Sequence, residues 1–283
     1  MIFWIASYPK SGNTWLRALI SSYFYSKDGF FKQEFLKRIE QFPEKKYFKN
    51  FNYNPTIITD TTKFWIEAQE RINEDKKTKF FKTHNILGAI NKNDFTNKKN
   101  SLGAIYIIRD PRNVLTSLQN HYELTLDDAL KFMLNENKFI HDHHIDNDFS
   151  DFQFISSWER NYQSWKYQNI FPVKIIKYED LNTNTFETFK DIIEFINKIL
   201  KNFENFNIQK AKNSIQSTTF YELKKIEKDE GFVEAVRSKN TKNKVPFFNL
   251  GPKNDWKKIF IPEYKKKLNS VFDKSLRELN YLD

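Results

Sequence analysis

The chain has 283 residues, 39% of them apolar, 17% aromatic and 29% charged, with 46 Lys and Arg against 36 Asp and Glu for a formal net charge of +10. That length and apolar fraction suffice for one large core, and the absence of cysteine excludes disulfides and thiolate metal sites. No run approaches the ~20 apolar residues of a membrane span, and no basic leader precedes the first apolar segment, so the expectation is a soluble, cytoplasmic protein without a transmembrane segment.

Ile2 to Ala6 is a short continuous apolar run, the pattern of a fully buried parallel strand, and it passes without a linker into Pro9-Lys10-Ser11-Gly12-Asn13-Thr14. Beyond the turn Trp15, Leu16, Leu19, Ile20, Tyr23 and Phe24 recur at helical spacing. A turn between a strand end and a helix N-terminus gathers free backbone N–H groups and the positive end of the helix dipole, where a phosphate or sulfate is stabilised. Gly12 lets the backbone come close, Ser11 and Thr14 add hydroxyls, and Lys10 supplies a mobile positive charge. An ordinary capped turn uses the same residue types, so these residues alone leave both readings open.

Further apolar runs repeat this arrangement. Lys79 to His84 ends on Lys82-Thr83-His84, and Asn91 to Asn100 reads as a solvated loop. Gly103 to Arg112 ends on charged residues and leads into a helix with Val114, Leu115, Leu118 and Tyr122 on one face. Val173 to Leu181 is the fourth run, followed by a helix from Thr185 to about Leu200 with Phe189, Ile192, Ile193 and Ile196 inward. Strands alternating with helices predict a single α/β domain over residues 1–283, a central parallel sheet flanked by helices, with ligands outside the carboxyl ends of its strands. Lys10, His84, Arg109 and Tyr178 fall at those ends.

At the third of them Asp110 and Pro111 start a helix by ordinary capping rules. Arg109 before them is a fork of donors at the end of a buried strand, which is costly without an anionic partner, and Ser117 on the following helix reaches the same place. Lys82 and His84, two residues apart on a strand, project to the same face, and a neutral imidazole there can take a proton from a hydroxyl.

In these residues the chain resembles the sulfotransferases that use 3′-phosphoadenosine-5′-phosphosulfate, the cytosolic type with a P-loop NTPase-like fold. Tyr8 to Trp15 is similar to that family's 5′-phosphosulfate loop, Lys82-Thr83-His84 to its catalytic strand end, and Arg109 through Ser117 to its 3′-phosphate site. Ser156 to Trp165, followed by Tyr178 to Leu181, resembles its middle segment, and Thr218 to Lys224 the stretch that stacks on adenine. The resemblance implies sulfuryl transfer to a hydroxyl or amine acceptor, releasing 3′-phosphoadenosine-5′-phosphate (PAP), with His84 as base, Lys10 and Lys82 catalytic, and no metal required. It assigns Lys10, Ser11, Gly12, Asn13 and Thr14 to the 5′-phosphosulfate, Arg109 and Ser117 to the 3′-phosphate, Tyr178 to the nucleotide region, Trp15 and Phe220 to the adenine faces and Thr218 to its edge. The acceptor it implies is a small molecule, a sugar or a lipid head group, not a nucleic acid.

One segment departs from the family pattern. A basic Arg-Lys-Gly triplet usually precedes an Asp-Trp-Lys segment; here Gly251 and Asp255-Trp256-Lys257 are kept, but Asn249 and Leu250 stand in place of the basic pair. Lys253, Arg237 and Lys239 are the candidate replacements. His141 to Asp146 carries three of the five His with carboxylates, yet its spacing fits no closed zinc site, and it reads as a polar loop rimming the acceptor pocket. Two rival readings are a P-loop kinase or NTPase using ATP and magnesium, and a basic nucleic-acid-binding protein. The first lacks the Gly-x-x-x-x-Gly-Lys-Ser/Thr pattern, and the second has no use for His84 at a strand end. Nothing in the sequence fixes an oligomeric state.

Overall fold

The four apolar runs form the strands expected of them: β1 (Ile2–Ala6), β3 (Lys79–Thr83), β4 (Ser101–Ile108) and β5 (Val173–Lys177), joined by a two-residue edge strand, β2 (Glu40–Gln41), whose polar residues gave no strand signal. The structure is a computed structural model and describes residues 1–141, 147–202, 205–232, 234–235 and 245–282. The sheet runs β2-β3-β1-β4-β5, every pair parallel, so the fold is α/β with β1 at its centre. Ala6 lies beside Thr83 on one flank and Tyr106 on the other, which brings the exits of β1, β3 and β4 together. The chain leaves β1 toward β3 and later returns to its other side, and the crevice at such a switch point is where open α/β sheets bind ligands.

Side chains of β1 alternate across the sheet, and all five are fully buried. Trp4 and Ala6 join a core with Phe81, Tyr106, Trp65, Trp158 and Trp165. Phe3 and Ile5 join a second with Ile105, Ile107, Leu16, Leu19 and Ile20, closed by the inward Phe189, Ile192, Ile193 and Ile196 of the helix Thr185–Leu200. Two hydrophobic layers thus clamp the central strand and hold its exit rigidly. β5 stops at Lys177 and Tyr178–Thr183 is a short helix, so Tyr178 stands on a helix start instead of within a strand. No helix among the described residues is long and apolar enough to cross a membrane.

Candidate active site

The strand exits open into a cavity of about 1220 Å³. Of the residues singled out from the sequence, Lys10, Gly12, Asn13, Thr14, Trp15, Lys82, His84, Arg109, Ser117, Tyr178, Phe220 and Gly251 line it. Ser11 lies fully buried behind the loop, and Thr218 is also buried, its hydroxyl donating to the Ser214 carbonyl at 2.7 Å. Lys253 is exposed outside the lining, and Arg237, Lys239 and residues 142–146 lie outside the described residues. His141 is at the cavity wall, edge-on to Phe149 at 4.8 Å.

The turn after β1 arches because Lys10 and Gly12 both have positive φ, 66° and 99°. Gly12 has a further reason to be glycine: a Cβ there would lie 2.5 Å from Cδ2 of Tyr178, whose ring covers it. The helix Asn13–Tyr25 begins at Gly12 with no side-chain cap and no acidic residue in its first turn, which leaves its dipole free to act on an anion. Asn13 secures the loop from below, donating through Nδ2 to the Ile5 carbonyl at 3.1 Å and to Ser7 Oγ at 3.2 Å.

His84 is fixed on three sides. Its Nδ1 lies 2.7 Å from the Ser7 carbonyl, which accepts only from an N–H, so the neutral ring carries its proton on Nδ1 and leaves Nε2 as the free acceptor. Its backbone N–H donates to Gln153 Oε1 at 2.7 Å, and its carbonyl accepts from Asn161 Nδ2 at 2.9 Å. Asn161 also accepts from the Tyr106 hydroxyl at 2.6 Å, and that hydroxyl in turn accepts from Tyr8 N–H at 3.1 Å. One buried relay therefore holds the anion turn and the histidine in register. Burial, then the charge of Lys82, lowers the His84 imidazole to about 3, which keeps it neutral. Burial likewise brings Lys10 down to about 8 and lowers Lys82.

Arg109 stacks on Tyr178 with its guanidinium carbon 4.2 Å from the ring centroid, and its Nη1 donates to the Lys10 carbonyl at 3.2 Å and to Ser117 Oγ at 3.3 Å. Asp110 is not available to compete, since it caps Arg112 N–H at 2.9 Å and pairs with that side chain at 2.7 Å. Ser117 Oγ also accepts from Asn254 Nδ2 at 3.0 Å, so the loop without the basic pair still reaches this subsite through an amide. Trp15 meets Tyr178 edge-on at 5.6 Å, and Phe220 lies against Gly251, where a Cβ would sit 2.4 Å from its ring.

Sequence reasoning missed Arg17, Asn254 and Glu234. Arg17 was visible only as a charge inside the apolar Leu16-to-Ile20 run, and Glu234, more than two hundred residues away, gave no local signal. Ser11 Oγ, Arg109 Nε and Arg17 Nε are buried without a hydrogen-bond partner among the described residues, an uncommon state that fits a loop built around a multiply charged anion.

A family model described as a sulfotransferase domain matches residues 2–280. The chain is 21% identical to rat sulfotransferase 1A1 over 278 residues, 98% of this chain and 85% of the relative. Among solved structures, the mouse sulfotransferase SULT7A1 complexed with PAP has a TM-score of 0.57 at 19% identity, covering 97% of this chain and 83% of that one. A retinol dehydratase in complex with retinol and PAP has a TM-score of 0.58 at 14% identity, covering 97% and 81%.

Proposed function

The chain belongs to the sulfotransferase family, and from that membership we propose that its cavity binds 3′-phosphoadenosine-5′-phosphosulfate and moves the sulfuryl group to a hydroxyl or amine acceptor. The observation that carries this reading is the convergence of Lys10, Lys82 and Thr14 with an imidazole whose Nε2 is its free acceptor, all in one cavity. When bound, the donor supplies a sulfuryl group on a phosphate leaving group. Arg109 and Ser117 grip the 3′-phosphate, with Asn254 reaching Ser117 from the loop that lacks the basic pair, and Trp15 and Phe220 flank the adenine.

His84 Nε2 takes the proton of the acceptor as its oxygen or nitrogen bonds to sulfur in line with the departing phosphate oxygen. Lys10 would neutralise the electron pair left on that oxygen as its bond to sulfur breaks, while Lys82 and the helix N-terminus would hold the sulfuryl group. The transferring group has less charge than a phosphoryl, so ammonium groups and N–H donors meet the demand that magnesium meets in kinases.

Thermal unfolding with adenosine 3′,5′-bisphosphate against ATP, with and without magnesium, tests the reading. Ligand at ~100 times its Kd adds about 2.7 kcal/mol, a rise of roughly 4–5 °C for a chain of this size. A rise with the bisphosphate that needs no metal and is lost in Arg109→Ala is the expected result. A larger rise with ATP that requires magnesium would overturn it in favour of a kinase or NTPase.

A further inference from the structure

The anion subsite of the cavity already contains an anion of the chain's own. Glu234 accepts from Thr14 Oγ1 through Oε2 at 2.5 Å and from Arg17 Nη1 through Oε1 at 2.5 Å, and Lys82 Nζ is 3.3 Å from the same Oε1. Its charge also acts on Lys10. Thr14, Lys82 and Lys10 are the groups assigned above to the donor's 5′ end, so a donor phosphate and this carboxylate call on the same ligands. Two anions sharing one set of donors repel, and in a partly dehydrated cleft that repulsion is large.

Arg17 makes the conflict sharper. Its side chain is only 4% exposed, it stands one turn inside the helix Asn13–Tyr25, and its Nε has no partner among the described residues. A buried guanidinium stripped of its counter-ion is strongly disfavoured, so Glu234 cannot simply leave. Exchange of one anion for another keeps Arg17 and Lys82 paired throughout. Burial pushes the Glu234 carboxyl up, but Arg17 and then Lys82 pull it further the other way, so it stays ionised and remains a competitor at neutral pH.

We infer that Arg17 is a further ligand of the donor's 5′ anion, and that Glu234 occupies this subsite as an internal placeholder which the donor displaces. The inference rests on the donor reading above. It makes Arg17 a fourth cation of the site beside Lys10, Lys82 and Arg109, and it makes Glu234 an internal competitor of the donor.

Calorimetric titration with adenosine 3′,5′-bisphosphate and with adenosine 3′-monophosphate, which lacks the 5′ anion, separates the possibilities. Glu234→Gln is expected to bind the bisphosphate about tenfold more tightly, and Arg17→Gln about tenfold more weakly, with the monophosphate changed by less than about twofold in both. If the wild type binds the bisphosphate and Glu234→Gln binds it equally or more weakly, Glu234 is a fixed strut for Arg17 and Lys82 and the inference is overturned. If the wild type does not bind it at all, the donor reading fails first and takes the inference with it. Glu234→Asp, which withdraws the charge by one methylene, gives the same readout should the glutamine variant not fold.

Discussion

Lys10 has to be charged for its proposed role and His84 has to be neutral, yet burial pushes both groups the same way, toward the uncharged form. The two demands are met because the starting points differ: Lys10 comes down only to about 8, held up by Glu234 against burial, Arg109 and Lys82, while His84 comes down to about 3. Below about pH 8 the ammonium is protonated, and above it the charge that neutralises the leaving oxygen is lost. kcat/KM for the donor should therefore fall above about pH 8, while kcat at saturating donor, which removes the titration of the free donor's 3′-phosphate at about pH 6, should stay level from about pH 5 to 7, where an unperturbed histidine gives an inflection. An inflection centred near the ordinary histidine value in an initial-rate pH series would refute the buried, neutral His84. His84→Gln isolates the proton transfer: kcat should drop by ~10²–10⁴ while calorimetric affinity for the bisphosphate changes little, since the ring contributes no charge to that site. Equal losses in both would make His84 a binding residue.

At the scale of elements, two close approaches of a glycine to an aromatic ring shape the proposed nucleotide site. Gly12 sits under Tyr178 with φ of 99°, and Gly251 sits against Phe220 with φ of 53°. Gly12→Ala brings a Cβ to 2.5 Å from the Tyr178 ring in a backbone region that L residues rarely adopt, so the turn or the ring must move, and Arg109 stacked on Tyr178 moves with it. Gly251→Ala is strained in the same way, at φ 53° with its Cβ 2.4 Å from Phe220, but the ring it displaces is not the one on which Arg109 stacks. Bisphosphate affinity should fall at least about tenfold in Gly12→Ala and less in Gly251→Ala, with the adenosine 3′-monophosphate weakened in both because both rings border the proposed nucleoside position. Unchanged thermal shifts in Gly12→Ala would show that the turn does not hold the nucleotide. These elements were legible because their signals are local: a continuous apolar run for β1, a glycine in a strand-to-helix turn, helical periodicity from Phe189 to Ile196. The two polar residues of β2 were not, because their pairing with Phe81 and Lys82 is set by the neighbouring strand.

At the scale of the whole molecule, what the sequence could not display is what the fold brings together across long chain separations. Lys82 and Arg17 are joined by Glu234, and Ser117 is joined to Asn254; in each case nothing near either residue in sequence announces the partner. The net charge of +10 suffered the opposite fault, being legible but unspecific, since it fits a polynucleotide surface as well as a nucleotide cavity. On the proposed donor reading, location separates these. Lys10, Lys82 and Arg109 face inward, fastened to a rigid strand exit, and Arg17 is buried behind the same loop, where a continuous phosphate backbone cannot follow them. On that reading a polynucleotide engages the exposed lysines, whose attraction is screened within about 8 Å at physiological ionic strength. Single-stranded oligonucleotide without a terminal 3′,5′-bisphosphate should therefore bind weakly, lose affinity steeply as salt is raised and fail to displace the bisphosphate, whose own affinity should decline far less over the same range because its partners are shielded from counter-ions. Competition titrations at low and physiological salt decide this, and displacement of the bisphosphate by the oligonucleotide at physiological salt would place nucleic acid in the cavity after all.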